Sequence, residues 1–344
     1  MKKQYKKITA KIKRIPLFFS CLLPLISCFL LLAACAKKML PPSPDRFAPR
    51  LLVIEPINRI KIDLTFDEDI NISKMTNQSL VITTTNKETL RIRTISSRKN
   101  TISLFTEPTK PGLYYISGMV EDKNKNLAQV NKKFLASSTI DTIAPRVAGI
   151  FPSPGTTKKI KNVYIEFSFS EPMDTTSAVR FLTLSLDTSQ IKWSWSSDWQ
   201  KLTFGYPESL LPNTTVYFAL QPTIHDLENN RIKEYGYTFF TSDSNLAPIL
   251  VTGNLFYENQ PYKSGIVIFS NPASKSLALS DISGKFSVRL DTAIFNVTAI
   301  SDTDFDNQID LLAELKDFNP ADTNKIKLDL KPISEKKDID QYLR

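Results

Sequence analysis

Two stretches in which apolar and polar residues alternate strictly constrain the fold of this chain more than any other feature. In the first stretch the apolar members are Ile60, Ile62, Leu64 and Phe66. In the second they are Val163, Ile165, Phe167 and Phe169. Period-two alternation predicts a strand with one buried face. Because the pattern recurs 103 residues later, from Phe66 to Phe169, the sequence also predicts a duplicated domain.

Turn signals follow each of these strands in the same order. Each copy has a Pro turn, then a strand bearing Tyr, then a loop in which Asp and Asn are four residues apart. The residues are Pro111, Tyr114, Asp122 and Asn126 in the first copy, and Pro212, Tyr217, Asp226 and Asn230 in the second. A unit of about 100 residues with short strands between turns is typical of a β-sandwich.

Five motifs of the second copy occur in the order of a known family. They are Phe169-Ser170-Glu171-Pro172-Met173-Asp174, Trp193-Ser194-Trp195, Leu211-Pro212-Asn213-Thr214, the loop 226–230, and Phe239-Phe240-Thr241. In these motifs residues 145–243 resemble the bacterial Ig-like domain of the SbsA type. Residues 48–140 resemble the same family but lack the Trp pair and the Pro-Met step. The resemblance implies two Ig-like sandwiches in tandem.

A third module is indicated over residues 249–332. Its segment 281–286 predicts a hairpin, because Asp281 can close an Asx turn and Gly284 can supply a positive φ. Together with the apolar strand 265–269, it resembles the carboxypeptidase regulatory-like, transthyretin-like sandwich. The expected fold class is all-β, with tandem Ig-like β-sandwiches followed by a transthyretin-like β-sandwich. We expect this module to fold independently and the polar tail, 333–344, to fray.

The N-terminus has the layout of an export signal. In residues 1–34 a basic arm with seven Lys and Arg precedes an uncharged apolar run, and no Asp or Glu is present. The run ends in Leu32, Ala33, Ala34 and Cys35, which resemble the bacterial lipobox and make Cys35 the expected acylation site. Two alternatives are a lipobox that ends at Cys28 and an uncleaved membrane anchor, which needs about 20 apolar residues.

This layout predicts an extracytoplasmic protein that a lipid holds to a membrane. The basic arm stays inside, and the Pro-rich residues 35–47 form a tether. Lipoproteins of enteric bacteria are retained in the inner membrane by an Asp after the Cys. Here Ala36 follows Cys35, so the resemblance implies the outer membrane, on its periplasmic or surface face. No structural disulfide is expected, since the mature chain keeps only the acylated Cys.

Composition removes several classes of function. Without the seven basic residues of the signal, the 44 Lys and Arg fall to 37 against 35 Asp and Glu, so nucleic acid is not an expected partner. The nine glycines match neither the dinucleotide-binding nor the P-loop spacing. His225 is the single His and no Cys follows residue 35, which disfavours Ser-His-Asp, Cys-His and ordinary zinc chemistry.

The sharpest chemical feature is an acidic segment. It contains Asp302, Asp304, Asp306 and Asp310, with no Lys or Arg between them. This spacing matches oxygen-ligand positions of an EF-hand-like loop, which makes these residues a candidate calcium site. Because Ala313 stands where the bidentate Glu is required, a solvated loop without metal is the favoured interpretation and calcium the alternative.

Two other groups of residues have both a structural and a functional interpretation. Trp193, Trp195 and Trp199 could form a sugar-binding platform, but the resemblance implies that the Trp pair packs in the sandwich. Glu171 and Asp174 match the family's loop signature, and a glycosidase pair of carboxylates is the less favoured interpretation.

Together these features predict a structural or interaction protein that is not an enzyme. Its expected partners are the membrane, through the N-terminal lipid, and an unknown protein or glycan. No cofactor is expected apart from the possible calcium. The alternatives are a calcium-dependent or carbohydrate-binding surface protein and, last, a carboxylate-based hydrolase.

Overall fold

The structure, a computed structural model, describes residues 45–157, 163–208, 210, 214–242 and 246–343. Strands take up 54% of the described residues, so the predicted all-β fold class is confirmed. The strands from residue 47 onward belong to one compact unit. Within the described part of the chain, no helix is both long enough and apolar enough to cross a membrane.

The first sandwich consists of two four-stranded sheets. Its strands are β1 (Leu51–Pro56), β2 (Lys61–Phe66), β3 (Leu80–Thr84), β4 (Thr89–Leu90), β5 (Ile92–Arg98), β6 (Thr101–Thr106), β7 (Leu113–Glu121) and β8 (Leu127–Leu135). One sheet has the order β1-β2-β6-β5 and the other β4-β3-β7-β8. The first alternating stretch forms β2, and its Ile62, Leu64 and Phe66 are buried in the core between the sheets.

The second sandwich is built in the same way. Its strands are β9 (Val147–Phe151), β10 (Thr156–Thr157), β11 (Val163–Phe169), β12 (Phe181–Leu184), β13 (Lys192–Trp195), β14 (Lys201–Tyr206), β15 (Thr215–Leu220) and β16 (Gly236–Thr241). The sheets have the orders β13-β14-β11-β9 and β10-β16-β15-β12. The second alternating stretch is β11, whose Ile165, Phe167 and Phe169 are buried in the core.

The repeat predicted from the sequence is visible in strand order and in the loops. Sheet β1-β2-β6-β5 corresponds to β9-β11-β14-β13, and strands β3-β7-β8 correspond to β12-β15-β16. Asp122 Oδ1 accepts a hydrogen bond from the Asn126 backbone N–H at 2.7 Å, and Asp226 Oδ1 accepts one from that of Asn230 at 2.9 Å. In both loops the Asn amide donates to the second carboxylate oxygen at 2.8 Å. These bonds hold each loop in a fixed turn.

The third sandwich is one eight-stranded sheet that folds around its own core. Its strands are β17 (Ile249–Tyr257), β18 (Gln260–Pro261), β19 (Ile266–Ser270), β20 (Lys275–Leu279), β21 (Lys285–Leu290), β22 (Phe295–Ser301), β23 (Gln308–Phe318) and β24 (Lys325–Asp338). The order is β18-β17-β24-β23-β22-β19-β20, and β21 pairs with β17. Strand β24 joins the two halves, because its first part runs parallel to β17 and its second part antiparallel to β23.

The hairpin turn predicted at 281–286 is present. Asp281 Oδ1 accepts hydrogen bonds from the backbone N–H groups of Ser283 at 2.8 Å and Lys285 at 2.9 Å. Gly284 has φ +73°, and a Cβ there would lie 2.5 Å from the Leu255 carbonyl oxygen. Both the conformation and the space therefore require glycine.

The tail expected to fray over 333–344 is instead ordered through residue 343. Strand β24 continues to Asp338, and Ile339 is fully buried. A short helix, α1 (Asp340–Leu343), follows, and its Tyr342 and Leu343 pack against the apolar cluster that contains Ile339. The expectation was wrong because it relied on polar composition, whereas strand pairing and one buried isoleucine hold the segment.

Candidate functional site

The first and second sandwiches meet through an ion pair. Arg59, in the turn between β1 and β2, donates from Nε to Oε1 of Glu228 at 2.8 Å and from Nη2 to Oε2. The Glu228 side chain is only 3% exposed. The hydrogen bond to Glu228 raises the pKa of Arg59. A bidentate pair of this kind fixes orientation as well as distance.

The connecting segment is tied to both sandwiches at Asp141. Asn58 of the first sandwich donates from Nδ2 to Asp141 Oδ2 at 3.1 Å. Asn230 of the second donates from its side-chain amide to the Asp141 carbonyl oxygen at 3.0 Å. Glu228 and Asn230 both belong to the loop 226–230. The turn that both copies of the repeat share therefore also positions the contacts with Arg59 and Asp141.

A second set of contacts lies at β5. Arg93 Nη2 is 3.6 Å from Asp174 Oδ2, and its guanidinium carbon lies 5.8 Å from the ring centroid of Trp199. The Thr94 hydroxyl donates to the Ser197 carbonyl oxygen at 3.2 Å. We call these contacts, with those of Arg59 and Asp141, the polar junction.

Glu171 has the most perturbed carboxyl group beside this junction. Burial, together with the negative charges of Asp226 and Asp141, raises the pKa of Glu171 to about 7, against a partial opposing effect of Lys61 and Ser170. A carboxyl group in this environment is held partly protonated near neutral pH. Ionisation of Glu171 therefore adds a negative charge near Asp141 and Asp226 as pH rises through neutrality.

Replacing Glu171 with Gln should stabilise the protein at high pH only. The folded-state pKa is raised from 4.5 to about 7, so wild-type stability falls as pH rises from about 4.5 to 7. Above this range we expect Glu171→Gln to increase the free energy of unfolding by about 1–2 kcal/mol, after allowing for solvent screening of a half-buried group. Denaturant melts at pH 4 and pH 8 measure the effect. Glu55→Gln, at an exposed position of β1, is the control; equal shifts at both pH values would contradict the prediction.

The second and third sandwiches share an apolar core. The contributing residues of the second are Leu182, Leu184, Tyr217 and Ala219, and those of the third are Ile266, Ile268, Leu277, Ile300, Ile309 and Ile339. The Tyr237 hydroxyl donates to the Leu277 carbonyl oxygen at 2.6 Å across this contact, which we call the apolar junction. The third module thus shares buried apolar surface with the second sandwich, which argues against the independent folding expected from the sequence.

Sequence reasoning missed the apolar junction although a signal for it was present. Residues 216–220 and 266–269 are unbroken apolar runs rather than alternating ones. Such runs indicate strands that are buried on both faces. In the structure, β15 buries Val216 and Phe218 in its own core and Tyr217 and Ala219 in the junction.

The acidic segment with the candidate calcium ligands lies between β22 and β23. Carboxylate oxygens of Asp302, Asp304 and Asp310 lie within 4.8 Å of one another, and Asp306 is not part of this group. Lys336 of β24 places Nζ 3.0 Å from Asp306 Oδ2, 3.4 Å from Asp310 Oδ1 and 3.8 Å from Asp304 Oδ2. A basic residue distant in sequence thus supplies positive charge to the segment.

The carboxyl groups of this segment differ in environment. Burial raises the pKa of Asp302, although its carboxylate accepts the backbone N–H of Asn307 at 2.8 Å. The hydrogen bond from Lys336 lowers the pKa of Asp306. The same contact raises the pKa of Lys336 to about 12, so the ammonium stays charged at physiological pH.

The three tryptophans occupy different environments. Trp195 packs against Phe169 of the core, with ring centroids 5.7 Å apart. Trp199 contacts Arg93 at the polar junction. Trp193, on the edge strand β13, is 45% exposed, so the expectation of core packing is wrong for this residue. The edge of the sheet leaves its ring uncovered although its neighbour two residues on is packed.

The loop carboxylate Asp174 and His225 take part in local structure. Burial opposes ionisation of Asp174, but hydrogen bonds from the backbone and hydroxyl of Thr176, and the charge of Arg93, lower its pKa. His225 Nδ1 lies 2.9 Å from the Asp226 carbonyl oxygen. Asp174 of the loop signature therefore takes part in the polar junction through Arg93.

The predicted lipobox residues Leu32, Ala33, Ala34 and Cys35 lie outside the described residues. Acylation at Cys35 stays a prediction.

Solved structures with some likeness to this chain include two of the bacterial S-layer protein SbsC. The match to its N-terminal part has 11% sequence identity and a TM-score of 0.25, and it covers 57% of this chain and 44% of the SbsC chain. Its domains 1–6 are 10% identical and cover 93% of this chain and 58% of that one, again with a TM-score of 0.25. The match to dimeric latent PorU from Porphyromonas gingivalis has 8% sequence identity and a TM-score of 0.29, and it covers 82% of this chain and 34% of the PorU chain. The chain thus spans about half of the S-layer structures that it matches.

No curated protein sequence matches the chain. Residues 141–241 do match a family, the bacterial Ig-like domain. The match coincides with the second sandwich, from the connecting segment at Asp141 to the end of β16. The second sandwich is therefore the part of the chain that is similar to the bacterial Ig-like domain.

Proposed function

We propose that this protein is a lipid-anchored, extracytoplasmic structural or interaction protein that presents its three sandwiches as one rigid array, without enzymatic activity. The observation that carries this proposal is the pair of junctions between sandwiches. A chain of freely hinged modules would not need a bidentate ion pair to the buried Glu228 side chain between the first two sandwiches, or a shared core between the last two. Both junctions suit a protein that must hold binding surfaces at fixed positions.

The proposed anchor is the acylated Cys35, followed by the Pro-rich tether. Acyl chains contribute about 0.8 kcal/mol per buried CH2, so several chains on one Cys give stable attachment. The tether sets the distance from the bilayer, and loops or sheet faces of the sandwiches contact the partner. The outer membrane is the proposed location, and a carboxypeptidase regulatory-like origin is proposed for the third sandwich.

Replacing Cys35 with Ala should abolish acylation and move the protein from the membrane fraction to the soluble fraction. The measurement is labelling with radioactive palmitate in the producing cell, followed by fractionation. The matched control is Cys28→Ala, which removes the competing lipobox and should leave both the label and the fractionation unchanged. Label that survives in Cys35→Ala, or is lost in Cys28→Ala, would show that the assignment is incorrect.

A calcium-dependent surface role is the second candidate, because Asp302, Asp304 and Asp310 bring carboxylate oxygens together. The Lys336 ammonium pairs with carboxylates that a metal would bind, so calcium must compete with it.

We expect Lys336→Met to bind calcium about tenfold more tightly than wild type, since one opposing charge is removed. Calorimetric titration of the chain from Ala36 onward measures this, with the exposed Lys132→Met as control. Absence of heat in wild type and variant alike would remove the calcium role.

A further inference from the structure

The second sandwich shows how an apolar sheet face is used in this protein. The outer side of β12-β15-β16 is covered by the third sandwich at the apolar junction. The corresponding strands of the first sandwich, β3-β7-β8, have the same order. Their outer side retains large apolar side chains in contact with solvent: Val81 is 40% exposed, Tyr115 42%, Met119 46%, Leu127 58% and Leu135 73%.

Strand register places these five side chains on one surface. Val81 is opposite Ser117, Tyr115 is opposite Lys133, and Met119 is opposite Gln129. Leu135 is opposite Leu113 at one end, and Leu127 is opposite Glu121 at the other. Directly opposed residues of an antiparallel pair share a face, so these positions form a single outer face. The alternate residues Tyr114, Ile116 and Val120 are buried in the core.

This outer face is complementary to itself under a two-fold rotation. Consider an axis that lies along the face, crosses the strands at right angles and passes through Ser117. Rotation about it keeps each strand above the same strand of the second copy and reverses its direction. Residues two positions before Ser117 then face residues two positions after it, as the register requires.

Each of the three strands contributes one apolar pair, while Leu113 faces Glu121 and Lys133 faces Gln129 in polar or mixed pairs. On β7, Tyr115 of one copy faces Met119 of the other. On β8, Leu127 of one copy faces Leu135 of the other. On β3, Val81 pairs with Ser117, through which the axis passes, so Val81 of one copy faces Val81 of the other. Sheets that pack face to face with nearly aligned strands bury such side chains in a layer about 10 Å thick.

Charge does not oppose this contact. The outward positions of β7 and β8 carry one acidic and one basic side chain, Glu121 and Lys133. Two copies therefore present no net charge to each other across these strands. The two residues lie on opposite sides of Ser117, so the rotation brings unlike rather than like charges toward each other.

We propose that the outer face of β3-β7-β8 is a homodimer interface in which two copies pack isologously about a two-fold axis at Ser117. A closed dimer of this kind uses the same patch twice and leaves no further apolar face of this sheet exposed. The first sandwich thereby completes between two chains the contact that the second sandwich makes within one chain.

Sedimentation velocity of the chain from Ala36 onward, at 1–100 µM, tests the association. We expect a concentration-dependent dimer, and we expect Met119→Lys to weaken it at least about tenfold by placing a desolvated charge opposite Tyr115. Val53→Lys makes the same change at an exposed site on the other sheet and should leave the dimer intact. A monomer at every concentration, or equal effects of the two variants, would overturn the proposal.

The geometry has its own test, since the chain beyond Cys35 contains no cysteine. Val81→Cys should be cross-linked to a covalent dimer by a bis-maleimide that spans about 10 Å, because the rotation sets the two side chains opposite each other. Val53→Cys should stay monomeric under the same conditions. A dimer that forms in solution but is not cross-linked through residue 81 would show that another face associates.

Discussion

Ending the chain after Ser242 should destroy the second sandwich's stability instead of releasing an intact fragment of two sandwiches. Loss of the third sandwich would expose Leu182, Leu184 and Tyr217, which are 3–5% exposed in the whole protein. Returning three large apolar side chains to water costs about 5–8 kcal/mol. Because a domain is stable by about 5–15 kcal/mol in total, most of this stability would be lost.

Circular dichroism melts and sedimentation of the fragment from Ala36 to Ser242 measure the loss. We expect aggregation or a broad transition in place of the cooperative one of the whole chain. The matched control carries Leu184→Ser and Tyr217→Ser in the same fragment. These changes should recover a soluble species, because they remove the exposed apolar surface. A fragment that is monomeric and melts like the whole chain would show that the apolar junction contributes little.

Reversing the charge of Glu228 should separate the first sandwich from the other two. The side chain is 3% exposed and contacts the guanidinium of Arg59 at two points. In Glu228→Lys two cations face each other at a position where the side chain of residue 228 is buried and that of Arg59 is 34% exposed, so we expect the junction to open. We expect one calorimetric transition for the wild-type protein and two for Glu228→Lys.

A charge swap provides the decisive comparison. Combining Arg59→Glu with Glu228→Lys restores opposite charges and should return the protein toward one transition. Glu55→Lys, an equal change of charge at an exposed position of β1, should leave the profile unchanged. Two transitions that persist in the swap would attribute the effect to the loop 226–230 itself and not to the ion pair.

Local periodicity predicted the fold well where each strand has one buried face. The stretches that form β2 and β11, the Asp…Asn loops and the turn at Gly284 all depend on contacts within one sandwich. Their residues therefore carry the pattern of the sandwich to which they belong. The all-β class followed directly from them.

Contacts between sandwiches were not predictable in the same way. Arg59 and Glu228 are 169 residues apart, and each reads as an ordinary surface charge in its own segment. Lys336 likewise lies far along the chain from the acidic segment that it neutralises. The apolar runs at the apolar junction did indicate that their strands are buried on both faces. Such a run does not show which other part of the protein covers the second face.

The raised pKa of Glu171 had no sequence signal at all. Its loop signature is common to the family that it resembles, and the shift arises from burial and from the charges of Asp226 and of Asp141, which lies in the connecting segment. A group's ionisation depends on which charges the fold brings near it. Only the structure could identify this carboxyl as one that ionises near neutral pH.

The path of β24 sets the order in which this protein can finish folding. Thr252 of β17 pairs with Lys325 of β24, and every other strand of the third sandwich lies between them in sequence. During synthesis β17 can pair with β18 and β21 early, but its pairing with β24 must wait for the last strand, and pairings of such long separation form slowly. Ile339, just behind β24, also closes the contact with the second sandwich. Until these residues are synthesised, apolar strands of the second and third sandwiches stay exposed to water. We therefore expect aggregation, or the need for a chaperone, to be greatest just before the C-terminal strand is complete.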